Sequence, residues 1–208
     1  MELLIHASPQ RMEYVTRFLL PRLNGLKITV WCDHDRKGNL TAYLESYKDL
    51  PPYGDTWHLE DDVLPDRHFR QWAEEIADFD GIVCGYGSRG YKNVIGQIKQ
   101  PEDLWYSFPC IRIPNAYLLD MLPWLEDIRT RDIDIRRKVE ANKGIDYIFR
   151  RYVIDHPIPI FHHDPCMVEH IDDYIGGSLT NNRGASPKAI RFNDTEAVEE
   201  LKRWASQV

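Results

Sequence analysis

Three consecutive acidic residues, Glu60, Asp61 and Asp62, form the strongest chemical signal in the sequence. They follow residues 56–59, whose composition predicts a short strand. Successive strand residues point to opposite faces, so we expect Glu60 and Asp62 to project together while Asp61 points elsewhere. Adjacent carboxylates repel one another unless a cation or hydrogen-bond donors compensate, and their oxygens suit Mg²⁺ or Mn²⁺. The triplet predicts a divalent-cation site, with an acidic turn between strand and helix as the alternative.

A second cluster lies in residues 161–173, which hold three histidines and four acids. Imidazole is a common ligand of divalent metals, and neighbouring carboxylates orient it. The sequence has no H-E-x-x-H motif, and its cysteines are too scattered for a structural zinc site. A hydrogen-bonded loop histidine is the alternative explanation for each of the three.

Ser8 and Arg11 flank the predicted start of the first helix, directly after a predicted strand. Free backbone N–H groups and a guanidinium at such a point favour binding of a phosphate or a carboxylate. Ser8 also suits an ordinary helix cap, which alone explains the pattern. Asp33 directly follows the second predicted strand, where a further polar contact to a ligand is expected.

Asp132 and Asp134 open a predicted helix in the second half of the chain. Either carboxylate is suited to act as a general base towards a hydroxyl group. Capping of the helix explains Asp132 equally well.

These polar clusters need a scaffold that brings them together. Strand and helix patterns alternate over the first 85 residues, which predicts an α/β fold with a mixed, mainly parallel sheet flanked by helices in a single domain. Such sheets bind ligands at the carboxyl ends of their strands, where Ser8, Asp33 and the acidic triplet fall. The predicted strands are 3–7, 27–32, 56–59, 81–84, 110–113 and 147–154, and the predicted helices include 40–47, 115–125, 133–142 and 195–205.

Composition narrows the class of protein. The chain has 208 residues, a net charge of −7 and four widely spaced cysteines, so its core needs no disulfide and the thiols are expected to be reduced. No G-x-G-x-x-G or P-loop motif follows the first strand, which excludes those two nucleotide sites. The sequence shows no signal peptide and no run of about 20 apolar residues, so we expect a cytoplasmic protein without membrane contact.

Charge is distributed unevenly along the chain. Residues 45–80 hold eleven acids and three bases, whereas residues 129–151 hold eight bases and four acids. Residues 88–100 add three bases and no acid. A cation site beside a surface for an anionic partner produces this pattern, and so do solvated helix faces.

Taken in order, the clusters resemble the GT-A fold of nucleotide-sugar glycosyltransferases, especially the compact bacterial and phage-encoded members. The sequence HLEDDVLP at 58–65 is similar to the acidic D-x-D-type motif of that family. The sequence PCMVEH at 165–170, followed by Ser178-Leu179, is similar to a later pattern of the family. Residues 132–144 resemble its acidic acceptor helix.

The resemblance implies transfer of a sugar from a nucleotide-sugar donor, a UDP-sugar first, to an acceptor hydroxyl with Mn²⁺ or Mg²⁺ as cofactor. It divides the chain into a nucleotide-sugar-binding half at 1–85, an acceptor half at 86–192 and a C-terminal helix at 193–208. The implied roles are metal binding for Asp62, Glu60 and His170, contact with the nucleotide sugar for Ser8, Arg11, Asp33, Asp61 and Arg183, and catalysis for Asp132 or Asp134, with Asp132 preferred as the base.

The acceptor is predicted from charge and from the resemblance. Bases interleaved with aromatic residues around 88–100 and 129–151 suit a phosphate backbone and an unstacked base. Because small phage enzymes of this kind glycosylate hydroxymethylated pyrimidines, DNA in a host cytoplasm is the first acceptor predicted, with a soluble glycan or protein as the alternative. The rival functions are a metal-dependent nucleotidyltransferase or phosphohydrolase, and a binding module with a structural cation.

Overall fold

A seven-stranded mixed sheet and a two-stranded ribbon form the β structure of the protein in this computed structural model. The structure describes residues 1–35, 37–87, 96–99, 108–172, 174, 188–189 and 191–207. The strands are β1 (Glu2–Ala7), β2 (Lys27–Cys32), β3 (Asp55–Glu60), β4 (Val63–Pro65), β5 (Ile82–Cys84), β6 (Ile98–Lys99), β7 (Cys110–Pro114), β8 (Ile160–His162) and β9 (Val168–His170). The sheet has the order β2-β1-β3-β7-β5-β8-β6, and β4 pairs with β9 in the ribbon.

Helices connect and cover these strands. After β1, a 3₁₀ turn (Pro9–Arg11), α1 (Met12–Tyr14), a π-helical turn (Val15–Leu19) and α2 (Leu20–Arg22) follow one another. The later helices are α3 (Asn39–Tyr47), α4 (Phe69–Glu75), α5 (Asn115–Arg131), α6 (Ile133–Glu140), α7 (Ile145–Asp155) and α8 (Thr195–Ala205). Among the described residues, the longest apolar stretches of helix fall short of what crossing a membrane requires.

Strand direction confirms the predicted sheet. β1 runs parallel to β2 and β3, and β5 runs parallel to β8. β7 lies antiparallel between β3 and β5, and β6 is antiparallel to β8. All strands of the sheet except β6 and β7 therefore point the same way, and their carboxyl ends meet at one edge.

The sheet separates two apolar clusters. In β3, the alternate residues Trp57 and Leu59 are buried in one cluster together with Phe69 of α4. In β7, Ile111 and Ile113 are buried in the other cluster, which includes side chains of α3, α5, α6 and α7. Because both faces of the central strands are covered, residues 56–59 of β3 are all buried, including the polar side chains of Thr56 and His58.

The β4–β9 ribbon joins two segments that are far apart in sequence. Val63 pairs with His170, and Pro65 pairs with Val168. Just outside the ladder, the backbone N–H of Ile171 donates to the carbonyl of Asp62 at 2.9 Å. The ribbon thus fixes the residues that follow β9 beside the acidic triplet.

The structure corrects two predicted elements. The predicted strand at 147–154 is wrong, because this segment belongs to helix α7. Its buried residues follow helical rather than alternating spacing: Ile145, Ile148, Phe149, Tyr152 and Val153. The predicted helix at 115–125 continues to Arg131. The predicted helix at 195–205 is confirmed.

Candidate metal centre

The acidic triplet lies where β3 ends, at the edge formed by the carboxyl ends of the parallel strands. Glu60 is the last residue of β3, and Asp62 directly precedes β4. Since Val63 pairs with His170, the ribbon carries the imidazole of His170 to the same place. One oxygen each from Glu60 and Asp62 and one ring nitrogen of His170 lie within 4.8 Å of one another. These three groups can hold one divalent cation.

A buried carboxylate oxygen without a hydrogen-bond partner also fits a cation at this site. His170 Nε2 lies 3.6 Å from Asp62 Oδ2. Asp62 Oδ1 is buried and has no hydrogen-bond partner among the described residues. Buried polar atoms are normally satisfied, because leaving them without a partner is costly. Two carboxylates and an imidazole also form a donor set that Mn²⁺ accepts.

Asp61 turns towards the loop after β1. The backbone N–H and the hydroxyl of Ser8 donate to Asp61 Oδ2 at 2.6 and 2.7 Å. Burial raises the pKa of Asp61 and the charge of Asp62 raises it further, whereas the contacts with Ser8 and Arg11 lower it. The Ser8 hydroxyl does not cap the helix that follows, so the capping explanation of this residue is wrong.

The guanidinium of Arg11 is buried among three carboxylates. Its Nη1 lies 2.9 Å from Asp62 Oδ2 and 3.3 Å from Asp61 Oδ1, and its Nη2 lies 2.5 Å from Asp172 Oδ1. Burial alone would lower the pKa of Arg11, but the three neighbouring charges raise it above its usual value. Arg11 therefore stays charged and partly compensates the acids at this edge of the sheet.

Tyr43 of α3 binds the carboxylate of Glu60. Its hydroxyl donates to Glu60 Oε1 at 2.9 Å. Burial raises the pKa of Glu60 well above its usual value, and the charge of Asp62 raises it further, while the bond from Tyr43 lowers it. The tyrosine thus favours the ionised form of Glu60, which is the form that binds metals.

Two buried histidines lie next to each other in this region, and one of them packs on Tyr43. His6 faces Glu60 in the β1–β3 pairing and stacks on the Tyr43 ring, with centroids 3.8 Å apart. His6 Nε2 and His58 Nδ1 are 3.4 Å apart. Burial lowers the pKa of His58 to about 3. Burial also lowers the pKa of His6, and the neighbouring His58 lowers it further. Both rings are therefore neutral near pH 7; His6 packs on Tyr43, and His58 packs on His6 and Tyr47.

Asp33 closes the turn that follows β2. Its Oδ1 accepts from the N–H of Lys37 at 2.8 Å, and its Oδ2 accepts from the N–H of Gly38 at 3.1 Å. Asn142, between α6 and α7, fastens the start of α3 by accepting from the N–H of Thr41 at 2.8 Å. The segment between α6 and α7 thereby holds this turn in place. The contact of Asp33 with a nucleoside stays a prediction.

Asp132 is the N-cap of α6. Its Oδ1 accepts from the backbone N–H groups of Asp134 and Ile135 at 2.9 and 3.1 Å. Asp134 is exposed and lies 3.8 Å from Arg137 of the same helix. All these contacts lie within α6 and its N-cap. They do not connect Asp132 or Asp134 to the acidic triplet.

Asp146, in the first turn of α7, is an acid of the second half that interacts with the site. Its charge contributes to the raised pKa of Glu60. Burial raises the pKa of Asp146 itself, and backbone N–H groups and Lys138 oppose that rise. A carboxylate with a raised pKa near a binding site is suited to accept a proton.

Several residues named from the sequence lie outside the described residues. They are Arg183, the pair Ser178-Leu179, and two of the three bases of the segment 88–100, Arg89 and Lys92. Their predicted roles remain predictions.

Four of the eight bases in segment 129–151 pair with acids on their own helices. The pairs are Arg129 with Glu126, Arg131 with Asp127, Arg137 with Asp134, and Arg151 with Asp155. Pairs at this spacing lie side by side on the helix surface and offset each other's charge. The segment 129–151 therefore presents less positive charge than its sequence indicates.

A cavity of about 620 Å³ lies at the other edge of the sheet, where β1, β2 and β3 begin. Lys27, Asp55, Trp57 and Arg112 are among the residues that line it. The strands of the sheet separate it from the acidic triplet, and Arg112 Nε lies 3.6 Å from Asp55 within it. The cavity is therefore not part of the candidate metal centre.

Sequence reasoning alone does not identify Tyr43 and Asp146 as residues of this region. Asp172 is one of the four acids in the cluster 161–173, but the sequence does not single it out from the other three. Tyr43 and Asp146 carry no comparable signal, because their positions depend on how α3 and α7 pack against the sheet.

No protein-family model matches the chain, and no curated protein matches it in sequence. Solved structures resemble its fold at low identity. A protein described as a glucose-1-phosphate thymidylyltransferase from Bacillus anthracis has a TM-score of 0.48 and 9% identity, covering 99% of this chain and 76% of that one. The inositol-1-phosphate CTP transferase from T. maritima has a TM-score of 0.45 and 11% identity, covering 99% and 77%.

The galactosyltransferase LgtC, solved with donor and acceptor sugar analogs, has a TM-score of 0.44 and 10% identity, covering 100% of this chain and 96% of that one. These TM-scores are all below 0.5, so the likenesses carry no argument about activity.

Proposed function

We propose that the chain is a metal-dependent glycosyltransferase that moves a sugar from a nucleotide-sugar donor to an acceptor hydroxyl. The proposal is carried by the convergence of Glu60, Asp62 and His170 within 4.8 Å at the carboxyl ends of the parallel strands. It is supported by the order of the motifs at 58–65 and 165–170, which resemble those of GT-A glycosyltransferases.

In this proposal the metal centre and the donor share one edge of the sheet. When bound, Mn²⁺ or Mg²⁺ neutralises negative charge on the leaving diphosphate. Asp62, Glu60 and His170 hold the metal, and Ser8, Arg11, Asp33, Asp61 and Arg183 contact the nucleotide sugar, for which a UDP-sugar is the first candidate. The Arg11 guanidinium, 2.9 Å from Asp62 Oδ2, offsets part of the negative charge that the acids bring to this edge.

Proton transfer needs a carboxylate near the acceptor. We assign it to Asp132, with Asp134 as the alternative, because the start of α6 corresponds to the acceptor helix in the resemblance. The base takes the proton of the acceptor hydroxyl as that oxygen bonds to the sugar carbon and the nucleoside diphosphate leaves.

The acceptor is a hydroxyl-bearing molecule, and a soluble glycan or protein is favoured over DNA. The ion pairs along α5, α6 and α7 reduce the positive charge on which the DNA prediction depends. Binding to duplex DNA that weakens steeply with salt, by roughly one power of salt concentration per phosphate contact, would reverse this preference.

The experiment that tests the proposal measures release of nucleoside diphosphate from a panel of sugar nucleotides, with Mn²⁺ or with EDTA. We expect slow release that Mn²⁺ stimulates and that Asp62→Asn abolishes. A nucleotidyltransferase would instead release pyrophosphate from a nucleoside triphosphate and a sugar phosphate. Pyrophosphate release without sugar-nucleotide cleavage would therefore overturn the proposal in favour of that rival.

A further inference from the structure

We infer that Asp172 is a positioning residue that orients the imidazole of His170, with Nε2 towards Asp62 and Nδ1 towards Asp172. The inference rests on the proposed function, because it concerns the same metal centre. It assigns a role to a residue that the sequence motifs do not include.

The two nitrogens of His170 face two different carboxylates. Nε2 lies 3.6 Å from Asp62 Oδ2, and Nδ1 lies 3.9 Å from Asp172 Oδ2. The side chain of Asp172 is 3% exposed and that of His170 is 11% exposed, so water competes little for either group. The ring is thus placed between the acid of the cation site and a second, more deeply buried acid.

The hydrogen-bonding state of the ring indicates what Asp172 does. His170 Nδ1 has no hydrogen-bond partner among the described residues, and 3.9 Å is too long for a hydrogen bond. A movement of about 1 Å brings Nδ1–H into hydrogen-bond range of Asp172 Oδ2. Histidines that bind metals almost always donate their second N–H to such a carboxylate, which fixes the tautomer and the ring orientation.

Asp172 is itself held in place by Arg11. Arg11 Nη2 lies 2.5 Å from Asp172 Oδ1, which leaves Oδ2 facing His170. The same guanidinium contacts Asp62 Oδ2 through Nη1 at 2.9 Å. One rigid planar group therefore sets the spacing between the two carboxylates on either side of the imidazole.

The test measures Mn²⁺ affinity without any donor, by electron paramagnetic resonance of the free ion. Asp172→Asn should weaken Mn²⁺ binding by about 10- to 100-fold, the usual effect of losing the partner of a metal-binding histidine. Asp194→Asn is the matched control, because Asp194 is also a buried carboxylate that pairs with arginines, Arg22 and Arg67. The control should leave Mn²⁺ affinity unchanged.

A double variant separates an effect through His170 from an effect through Arg11. In a His170→Ala background, Asp172→Asn should change Mn²⁺ affinity by less than about threefold, because the group that it positions is gone. If the two substitutions instead multiply in full, Asp172 acts through another group and the inference is overturned.

A measurement on the unaltered chain keeps the inference testable if Asp172→Asn fails to fold. Zn²⁺ is diamagnetic and binds imidazole, so ¹⁵N spectra of the histidine rings can be recorded with and without it, with His170→Gln assigning the signal. We expect Zn²⁺ at Nε2 and a hydrogen-bonded proton at Nδ1, and metal at Nδ1 would overturn the inference. If the unaltered chain binds neither Mn²⁺ nor Zn²⁺, the proposed function fails as well, whereas unchanged Mn²⁺ affinity in Asp172→Asn overturns the inference alone.

Discussion

His170 Nε2 lies 3.6 Å from Asp62 Oδ2 because the three-residue strands β4 and β9 pair in one particular register. Val63, directly after Asp62, is the partner of His170 in that ladder. A slip of one residue would turn the imidazole to the opposite face of the ribbon. The candidate metal centre therefore depends on a short ladder as much as on the identity of its ligands.

Asp62→Asn should remove most of the metal dependence of nucleotide binding. The substitution keeps the size of the side chain but removes a charged oxygen donor, so Mn²⁺ affinity should fall at least about tenfold. The measurement is the shift in melting temperature caused by UDP with Mn²⁺ and by UDP with EDTA. Asp49→Asn, at an exposed position outside the site, serves as the control. An undiminished Mn²⁺-dependent shift in Asp62→Asn would exclude Asp62 as a ligand.

The stability of the metal-free chain should fall as pH rises through the titration of Glu60. The folded pKa of Glu60 is raised well above its ordinary value of 4.5, first by burial and then by Asp62. The folded chain then holds this proton more tightly than the unfolded chain, so the free energy of unfolding decreases above about pH 4.5 and levels off above the folded pKa. Asp61, whose pKa is also raised, contributes in the same direction.

Urea unfolding in EDTA at pH 5 and pH 8 measures this effect. Glu60→Gln should lose less stability between the two pH values than the unaltered chain does, because it has no carboxyl proton to lose. Saturating Mn²⁺ at pH 8 should stabilise the unaltered chain more than Glu60→Gln. Equal pH slopes in the two proteins would mean that Glu60 is not the group responsible.

Much of the fold follows from the sequence, and the exceptions have physical reasons. The strand 82–84 and the helix 195–205 are bounded by clear turn and capping residues, and both are confirmed. The segment 147–154 is rich in β-branched and aromatic residues, which favour a strand in isolation. Packing decides otherwise, because its buried residues share one helical face against α5 and α3.

The candidate site was predictable where its chemistry is local. Strand alternation predicts that Asp61 points away from Glu60 and Asp62, and the structure shows this separation, although Asp61 and Asp62 lie in the turn between β3 and β4. The burial of Arg11 among Asp61, Asp62 and Asp172 depends on contacts between residues far apart in sequence, for which a single sequence offers no pattern.

Arg11→Met should strongly destabilise the metal-free chain. It leaves three carboxylates buried at one edge without the guanidinium, and the loss of one partner of a buried ion pair costs about 3 to 5 kcal/mol. Because a divalent cation would replace part of the missing positive charge, Mn²⁺ should raise the melting temperature more in this variant than in the unaltered chain. Arg17→Met is the control: Arg17 is exposed and pairs with Glu13 on the surface, so less than about 1 kcal/mol is expected. Comparable losses in the two variants would contradict the structural role given to Arg11.

Asp132→Asn should reduce sugar transfer by about 100-fold or more while leaving donor binding and stability unchanged. The reason is that asparagine caps a helix about as well as aspartate, so the bonds to the N–H groups of Asp134 and Ile135 survive while the basic carboxylate is lost. Asp134→Asn should have a smaller effect, because the side chain of Asp134 is exposed and is held less firmly. Among the described residues, its carboxylate is approached by Arg137 at 3.8 Å, which is too far to fix its position. Asp146→Asn is the comparison that the structure adds, since Asp146 is half-buried and its charge reaches Glu60. The measurement is the transfer rate at saturating donor, alongside Mn²⁺-dependent donor hydrolysis in each variant. If Asp146→Asn alone abolishes transfer, the base belongs to α7, and Asp132 serves as a helix cap.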